Sequence, residues 1–235
     1  MKIRAIKTRI FKEGEDLTSF ILQYIKKLPE NSVLVVTSKI VALAEGRVVE
    51  YKSKRDKAIL IKQESDFALP TKLVWMTIKD GMILASAGID ESNANGKMIL
   101  LPKNSYKAAE ILRKSLMKKF RLRNLGVLIT DSRLMPLRKG ALGIALGYAG
   151  FKGLKNYIGM KDIFGRVFEM SQSDMADGLA TAAVVCMGEG KEQQPLALIT
   201  DAPVIFNNKV KKDELIISPE QDVYAPFFAK LKNNI

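Results

Sequence analysis

The chain has 235 residues, of which 47% are apolar and 27% charged, with a formal net charge of +13, a composition typical of a soluble globular protein with a sizeable core. Its lack of histidine and its single cysteine exclude histidine-based catalysis, histidine-ligated zinc and an internal disulfide framework. The remaining carboxylates, hydroxyls, lysines and arginines suit a hard cation such as Mg²⁺ or Mn²⁺.

The positive charge has three interpretations. Most of it is lysine spread along a predicted helix, as at Lys107, Lys114, Lys118 and Lys119, which favours solvated helix faces. Attraction of an anionic small molecule is the second interpretation. Nucleic-acid binding is the third and is disfavoured, because no basic motif is interleaved with aromatic residues.

The chain contains no apolar run near the roughly 20 residues that span a bilayer, and residues 1–4 begin a strand pattern without a signal-peptide core. We therefore expect a cytoplasmic protein with no membrane partner. The single cysteine, Cys186, lies in the apolar run 182–187 and is expected to be a small buried core residue.

The first half of the chain predicts alternating strands and helices. The pattern predicts a strand over 2–8, an amphipathic helix over 16–28, a buried strand over 33–36, a helix over 40–45 ended by Gly46, and a helix over 54–64. Residues 73–76 and 82–87 are predicted to be paired strands around the turn Lys79-Asp80-Gly81.

The second half predicts two long helices among further strands. Ser105 is expected to cap a helix that buries Ala108, Ile111, Leu112 and Leu116. The pattern then predicts a buried strand over 125–129, a glycine-rich apolar segment over 140–150, a helix from a cap at Ser173 to Gly188, a strand over 195–199 and a helix over 221–231. The fold class is therefore mixed α/β (α+β), with one domain over 1–235 in which two subdomains would not be separable by sequence.

Two acidic segments each follow a predicted strand. Ile89-Asp90-Glu91-Ser92-Asn93 follows strand 82–87, and Thr130-Asp131-Ser132 follows strand 125–129. Carboxylates brought together from distant segments are what a Mg²⁺ site beside a triphosphate needs. Turn and cap residues are the alternative, and on spacing alone the alternative is favoured.

Nucleotide binding would have to be nonstandard, because the chain has no GxxxxGK[ST] or GxGxxG motif. Thr37-Ser38-Lys39 would bind phosphate or simply cap a helix. Met187-Gly188-Glu189-Gly190 would approach a nucleotide, with Glu189 on a metal, or simply end a helix. Arg166 would clamp a carboxylate or pair with Asp162, and the glycines at 143, 147 and 150 are expected to permit close backbone packing.

Seven ordered segments of the chain closely resemble the coenzyme F420 γ-glutamyl ligase family, whose members add L-glutamate to a deazaflavin coenzyme precursor. The segments are residues 35–39 with 44–47, 86–93, 100–102, 126–132, 159–166, 176–177 and 187–190. The resemblance runs from about residue 7 to residue 195. It implies a γ-glutamyl ligase-like fold of mixed sheets with flanking helices, and an intertwined homodimer.

The resemblance also implies the site residues. The metal ligands implied are Asp90, Asp131, Ser132 and Glu189. The residues implied to bind GTP or ATP are Thr8, Arg9, Ile10, Phe11, Ser38, Lys39, Asn93, Met187, Gly188, Glu189, Gly190, Lys191, Glu192, Gln193 and Gln194. Catalysis is expected to depend on Asp131, Lys161 and Arg166. Lys161 and Arg166, together with Arg138, are expected to hold the carboxylates of the acceptor and of L-glutamate.

The chain departs from the family pattern around these residues. Leu43 stands where relatives have a lysine, Arg133-Leu134-Met135-Pro136 replaces an Asn-Gly-Arg segment, and Thr8-Arg9-Ile10-Phe11 replaces an apolar segment. The implied metal ligands are intact, so we expect ligation through an acyl phosphate, with a deazaflavin or a folate as acceptor. The alternative is a non-catalytic nucleotide- or anion-binding protein that kept the fold.

Overall fold

A five-stranded sheet forms the centre of the protein, in the order β1-β12-β2-β8-β9. The structure is a computed structural model and describes residues 1–51 and 53–232. The strands of this sheet are β1 (Lys2–Ile6), β2 (Ser32–Thr37), β8 (Leu125–Leu134), β9 (Ala141–Ala149) and β12 (Leu196–Thr200). Strands β2 and β8 are parallel, whereas the other neighbouring pairs of this sheet are antiparallel.

Three smaller sheets surround the central one. Their strands are β3 (Val48–Val49), β4 (Phe67–Pro70), β5 (Trp75–Lys79), β6 (Met82–Ala85), β7 (Met98–Ile99), β10 (Leu154–Asn156) and β11 (Gln172–Asp174). Strands β4, β5 and β6 form an antiparallel meander, β3 pairs with β7, and β10 pairs with β11. The predicted hairpin around Asp80 and Gly81 is confirmed as β5–β6, and both turn residues have the positive φ that a tight hairpin turn requires.

The helices agree with the predicted α/β class. They are α1 (Leu17–Tyr24), α2 (Ser38–Ala44), α3 (Lys54–Gln63), α4 (Ser105–Phe120), α5 (Met175–Met187) and α6 (Ala225–Lys232). Helices α1 and α4 pack on one face of the central sheet and α5 on the other. Strand β2 shows why: Leu34 and Val36 point to the first face, and Val33 and Val35 point to the second.

Two predicted helix caps are wrong by one residue. Asn104, not Ser105, caps α4 by accepting the backbone N–H of Lys107. Asp174, not Ser173, caps α5 by accepting the backbone N–H of Asp177. In both cases the capping residue has an extended backbone, and its side-chain oxygen reaches the N–H three residues on, as an N-cap does.

Two residues expected in the core are exposed. Helix α4 buries Ala109, Leu112 and Leu116, so Ile111 falls on the solvent side with 58% of its surface exposed. Helix α5 buries a face that runs through Ala176, Ala180, Ala183 and Met187, which places Cys186 on the exposed face. The prediction for Cys186 was wrong because it followed a local apolar run and not the helical period. Ile111 fits the helical spacing, but the buried face of α4 is centred on Ala109, Leu112 and Leu116, which leaves Ile111 on the solvent side.

The expected close packing at glycines is confirmed in β9. A Cβ at Gly147 would lie 2.5 Å from backbone atoms of Ser105 and Tyr106 at the start of α4. A Cβ at Gly143 would lie 2.5 Å from the carbonyl oxygen of Ala180 in α5. The two glycines therefore let the helices approach opposite faces of this strand.

The surface agrees with two further expectations. Lys107, Lys114, Lys118 and Lys119 are exposed on α4, as expected of a solvated helix face. Among the described residues, no helix is both long enough and apolar enough to cross a membrane.

A separate apolar cluster lies around α3. Buried residues Ile61, Ala87, Ile89, Met98 and Leu100 form it, and Trp75 packs against it. Glu64, at the end of α3, connects the segment before β3 with strand β5, because its carboxylate lies 2.7 Å from both Arg47 Nη2 and Lys79 Nζ. The segment 86–93 is thereby held between this cluster and the central sheet.

Candidate active site at the end of β2

The register of the central sheet brings four distant segments to the end of β2. In the parallel β2–β8 pair, Thr37 lies opposite Thr130, so the residues that follow, Ser38 and Asp131, are neighbours. Strand β12 runs antiparallel to β2 and begins at this end, with Pro195 O accepting the backbone N–H of Thr37. Strand β1 ends opposite Leu196, which brings residues 8–11 to the same edge.

Asp131 lies within strand β8, and this corrects the expected end of that strand. The ladder to β9 continues from Thr130 to Leu134 after an irregularity between Ile129 and Thr130. Ser38 is buried and donates its hydroxyl to Asp131 Oδ1 at 3.1 Å, so it does not serve as a side-chain helix cap. The backbone of Asp131 is thus fixed by the β8–β9 ladder, and its side chain is fixed by Ser38 at the start of α2.

Burial raises the pKa of Asp131 to about 7, against the opposing effect of hydrogen bonds from the Ser132 backbone N–H and the Ser38 hydroxyl. The Asp90 carboxylate raises this pKa further and the Lys39 ammonium lowers it. The two carboxylates from distant segments therefore lie close enough to influence each other's charge. A nearby cation would favour the ionised form of Asp131.

Lys39 holds the acidic segment that carries Asp90, while its neighbour Ser38 contacts Asp131. The Lys39 ammonium lies 2.7 Å from Asp90 Oδ2 and donates to Ser92 O at 3.0 Å and Ser92 Oγ at 3.1 Å. Asp90 also accepts from the backbone N–H and the hydroxyl of Ser92. Desolvation opposes ionisation of Asp90, but Lys39 and Ser92 outweigh it and hold the pKa of this carboxyl below its ordinary value.

The loop that carries Asp90 has an unusual backbone. Ser86 and Ala87 both have positive φ, which costs non-glycine residues about 1–3 kcal/mol each and requires support from the surroundings. The buried Thr77 hydroxyl accepts the backbone N–H of Ala87 and supplies part of that support. At Gly88, with φ of +71°, a Cβ would lie 2.6 Å from Leu101, so only glycine fits this turn.

The segments expected to bind nucleotide meet each other at this edge. The backbone N–H of Thr8 donates to Gln193 O at 2.9 Å, and Asn93 Nδ2 donates to Gly190 O at 3.3 Å. Ser132 donates its hydroxyl to Glu189 Oε1 at 2.6 Å. Gly188 ends α5 as a cap, so the helix-capping interpretation of this glycine is confirmed, while Glu189 still reaches the edge.

Other residues of these segments have different surroundings. Phe11 and Met187 are buried in the two cores, which leaves only their backbone atoms for a ligand. Arg9 pairs with Glu15 at 2.9 Å, and the Ile10 side chain is exposed. Lys191 is exposed, and Glu192 accepts the backbone N–H of Gly190.

Lys161 and Arg166 lie on an exposed excursion between β10 and β11, which we call the arm (residues 157–171). The arm is closed by hydrogen bonds of its own, including Gly159 N–H to Phe168 O at 2.9 Å. Asp162 accepts the backbone N–H groups of Phe164 and Arg166, so its expected pairing with Arg166 is made through the backbone. Arg138 is exposed in the turn after β8. The described contacts of the arm do not join either basic residue to Asp90 or Asp131.

The donors at the site suit a metal held jointly with a nucleotide. Within the described residues, no group of three or more Asp, Glu, Cys or His side chains is close enough to hold a metal ion. Mg²⁺ needs no such cage, because it is usually bound by one or two carboxylates together with substrate phosphates and water. The oxygens of Asp90, Asp131, Ser132 and Glu189 fit that requirement.

Ser92 is the site residue that the motif analysis missed, since it contacts both Asp90 and Lys39. Its spacing offered a signal. A serine two residues after an aspartate is placed to donate its backbone N–H to that carboxylate in an Asx turn, as Ser92 does at 2.6 Å.

Known proteins resemble this chain along most of its length. The family model described as F420-0:Gamma-glutamyl ligase matches residues 5–201. A relative from Methanocaldococcus jannaschii, named coenzyme F420:L-glutamate ligase, is 34% identical over 95% of this chain and 96% of its own length. Relatives of the same name from Methanococcus maripaludis and Archaeoglobus fulgidus are 32% and 31% identical, over 95% and 91% of this chain and 97% and 92% of their own lengths.

The raised pKa of Asp131 predicts a pH-dependent effect of Asp131→Asn on stability. The folded pKa of about 7 exceeds the roughly 3.9 of an unfolded chain, so ionising this carboxyl costs the folded state stability as the pH rises towards 7. Asparagine keeps the acceptor for Ser38 and does not ionise. The variant should therefore gain roughly 2–3 kcal/mol over the wild type between pH 5 and pH 8.

Thermal unfolding in the presence of a chelator, at several pH values in that range, measures this gain. Asp213→Asn, which removes one exposed carboxylate, is the matched control and should show no such trend. A difference between Asp131→Asn and the wild type that stays constant from pH 5 to pH 8 would show that Asp131 is not desolvated.

Proposed function

The chain belongs to the F420-0:gamma-glutamyl ligase family and is a ligase, and we propose that it joins L-glutamate to the carboxylate of a deazaflavin coenzyme precursor. We further propose that GTP or ATP drives the reaction, with Mg²⁺ or Mn²⁺, through an acyl phosphate. The observation that carries this proposal is the meeting of Ser38, Lys39, Asp90 and Asp131 at one edge of the sheet.

The residue inventory supports a phosphoryl-transfer reaction. Without histidine, the site offers carboxylates, hydroxyls and an ammonium, which are the groups that hold a triphosphate and its cation. A bound divalent ion would neutralise charge on the triphosphate. Asp90 and Asp131 would hold that ion, with Ser132 and Glu189 beside them, and Lys39 would contact phosphate oxygens.

The proposed reaction has two steps. An oxygen of the acceptor carboxylate attacks the terminal phosphorus, and the nucleoside diphosphate leaves. The amine of L-glutamate then attacks the acyl carbon, inorganic phosphate leaves, and the amine proton passes to solvent. The chain's own contribution is to position the reactants. The hydrogen bonds from Asn93 to Gly190 and from Ser132 to Glu189 connect the nucleotide loop to the segments that carry Asp90 and Asp131.

A second acceptor class is favoured by one feature of the sequence. Residues 133–136, Arg133-Leu134-Met135-Pro136, differ from the family pattern directly after the retained Asp131 and Ser132. Retained ligands with changed neighbours would fit the same ligation onto another tailed cofactor, of which a folate is the second candidate. The non-catalytic alternative does not hold, because the chain belongs to a family of ligases.

One assay separates these candidates. Purified protein is given GTP or ATP, Mg²⁺ or Mn²⁺, L-glutamate and each acceptor in turn, and mass spectrometry detects products heavier by one glutamyl unit. We expect the deazaflavin precursor to be extended, and Asp131→Ala to lower the rate by at least about 100-fold because it removes a metal ligand. Asp213→Ala, on the exposed surface, is the matched control.

Each outcome of the assay has a distinct meaning. Extended folate with untouched deazaflavin would replace the proposed acceptor by the second one. Absence of product and of phosphate release with both acceptors would reject both candidate acceptors. Near-normal turnover by Asp131→Ala would reject the metal assignment.

We also propose a homodimer in which the arm completes the partner's site. The arm exposes Ile163, Phe164 and Met170, each with close to nine-tenths of its surface accessible, and exposed apolar groups of this size favour burial against another chain. Lys161 and Arg166 lie on the same arm, whose described hydrogen bonds close within the arm itself. In a two-fold dimer they would hold substrate carboxylates at the partner's site.

Mixing two inactive variants tests this arrangement. One carries Asp131→Ala, and the other carries Lys161→Ala with Arg166→Ala. Half of the dimers formed on random re-association combine the two chains, and each of these has one intact site, so activity should return to about a quarter of the wild-type value. Activity that fails to return, although mixed dimers are detected, would show that the arm acts within its own chain or not at all.

A further inference from the structure

A cleft of about 350 Å³ lies between α3 and the β4–β6 meander. Its volume is within the range of small-molecule sites. Its lining comes from α3, from β5 and from the loops next to them. The lining residues are Tyr51, Lys54, Lys57, Ala58, Ile61, Leu73, Val74, Trp75, Ser86 and Glu91.

The cleft has an aromatic and apolar interior with an apolar rim. Trp75 is the only tryptophan of the chain, and it lines the cleft together with the ring of Tyr51. Lys62 lies 5.6 Å from the centroid of the Trp75 ring, and the ring packs against the cluster around Ile61, so its position is well fixed. At the rim Leu73 is 92% exposed and offers apolar surface to a ligand.

Positive charge lies at one side of the cleft. Lys54 and Lys57 are among the lining residues, and Lys57 pairs with Glu91 at 3.1 Å. The Tyr51 hydroxyl is hydrogen-bonded to Glu91, and this hydrogen bond raises the pKa of the tyrosine. A ligand with an anionic group would meet Lys54 here, beside the ion pair of Lys57 and Glu91.

The cleft is continuous in sequence with the candidate active site. Glu91 follows Asp90 directly, and Ser86 begins the supported turn that carries Asp90. The segments assigned to the nucleotide meet elsewhere, at Gly190 and Gln193, and none of those residues is among the cleft lining. A ligand in the cleft would therefore reach the carboxylates without displacing the nucleotide.

We propose that this cleft binds the acceptor of the ligation, with the planar aromatic ring system against Trp75 and Tyr51 and its anionic groups at Lys54 and Lys57. The tail that receives glutamate then extends past Glu91 towards Asp90 and Lys39. Stacking on fixed aromatic rings selects a flat ring system, and the lysines select a negatively charged one. This inference rests on the proposed ligase function and adds to it the place where the acceptor is selected.

Intrinsic fluorescence tests the cleft directly, because Trp75 is the only tryptophan. The deazaflavin precursor, a folate and GTP are each titrated into the full chain, with free N-acetyltryptophanamide correcting for absorption by the ligand. We expect a saturable change in Trp75 emission with the acceptor and none with GTP alone. The measurement needs no turnover, so it separates acceptor binding from ligase activity.

A pair of matched charge reversals locates the anionic groups. Lys54 and Arg55 lie side by side at the exposed start of α3, and of these two only Lys54 lines the cleft. The matched variants are Lys54→Glu and Arg55→Glu. We expect Lys54→Glu to weaken acceptor binding and to raise the acceptor KM by about tenfold, with the KM for GTP unchanged, and Arg55→Glu to stay within about twofold of wild type. Trp75→Phe should lose the fluorescence change and, because its ring is smaller, should also raise the acceptor KM while leaving the KM for GTP unchanged.

The outcomes distinguish this inference from the proposed function. An acceptor that changes Trp75 emission without being ligated supports the cleft and counts against the ligase reaction. An acceptor that is ligated with unchanged emission, and equally by wild type and Lys54→Glu, overturns the cleft and leaves the ligase reaction intact. A change in emission caused by GTP alone, and competed by the acceptor, also overturns it, because the cleft would then hold the nucleobase.

Discussion

The parallel pairing of β2 with β8 is the constraint on which the site depends. Its register places Thr37 opposite Thr130, and the next residue of each strand supplies one half of the Ser38–Asp131 hydrogen bond. The antiparallel strands β12 and β1 then bring two further segments to the same end of β2. These segments are the loop between α5 and β12, residues 188–195, and residues 8–11. A shift of one residue in that register would turn Asp131 to the other face of the sheet.

The electrostatics of the site follow from that packing. Burial of the Asp131 side chain disfavours the negative charge of this residue and raises its pKa. Lys39 and Ser92, in contrast, favour the ionised form of Asp90 and lower its pKa. The pKa of Asp131 is therefore higher than that of Asp90, and the Lys39 ammonium lowers both. A cation accompanied by phosphates would relieve the desolvation of Asp131, and for this reason the same arrangement that costs stability in the free protein favours binding of a metal with a nucleotide.

Local patterns predicted much of the fold. Strand β2 and helix α3 were predicted within one or two residues, because an apolar run and a 3.6-residue period are local properties. The exposure of Cys186 and the continuation of β8 past Asp131 were missed, because the first depends on which face of α5 meets the sheet and the second on the ladder to β9. Likewise, the order of the motifs suggested Asp90 and Asp131 as partners. The ion pair of Lys39 with Asp90 and the cleft at Trp75 were not predicted, because both depend on tertiary packing.

Binding of Mn²⁺ in the presence of GTP or ATP, followed by electron paramagnetic resonance, tests the central claim most directly, because it needs neither acceptor nor turnover. The account predicts that Asp90→Asn and Asp131→Asn each weaken Mn²⁺ binding by at least about tenfold, while Glu110→Gln on the exposed side of α4 leaves it unchanged. Mn²⁺ binding by both asparagine variants with wild-type affinity would contradict it.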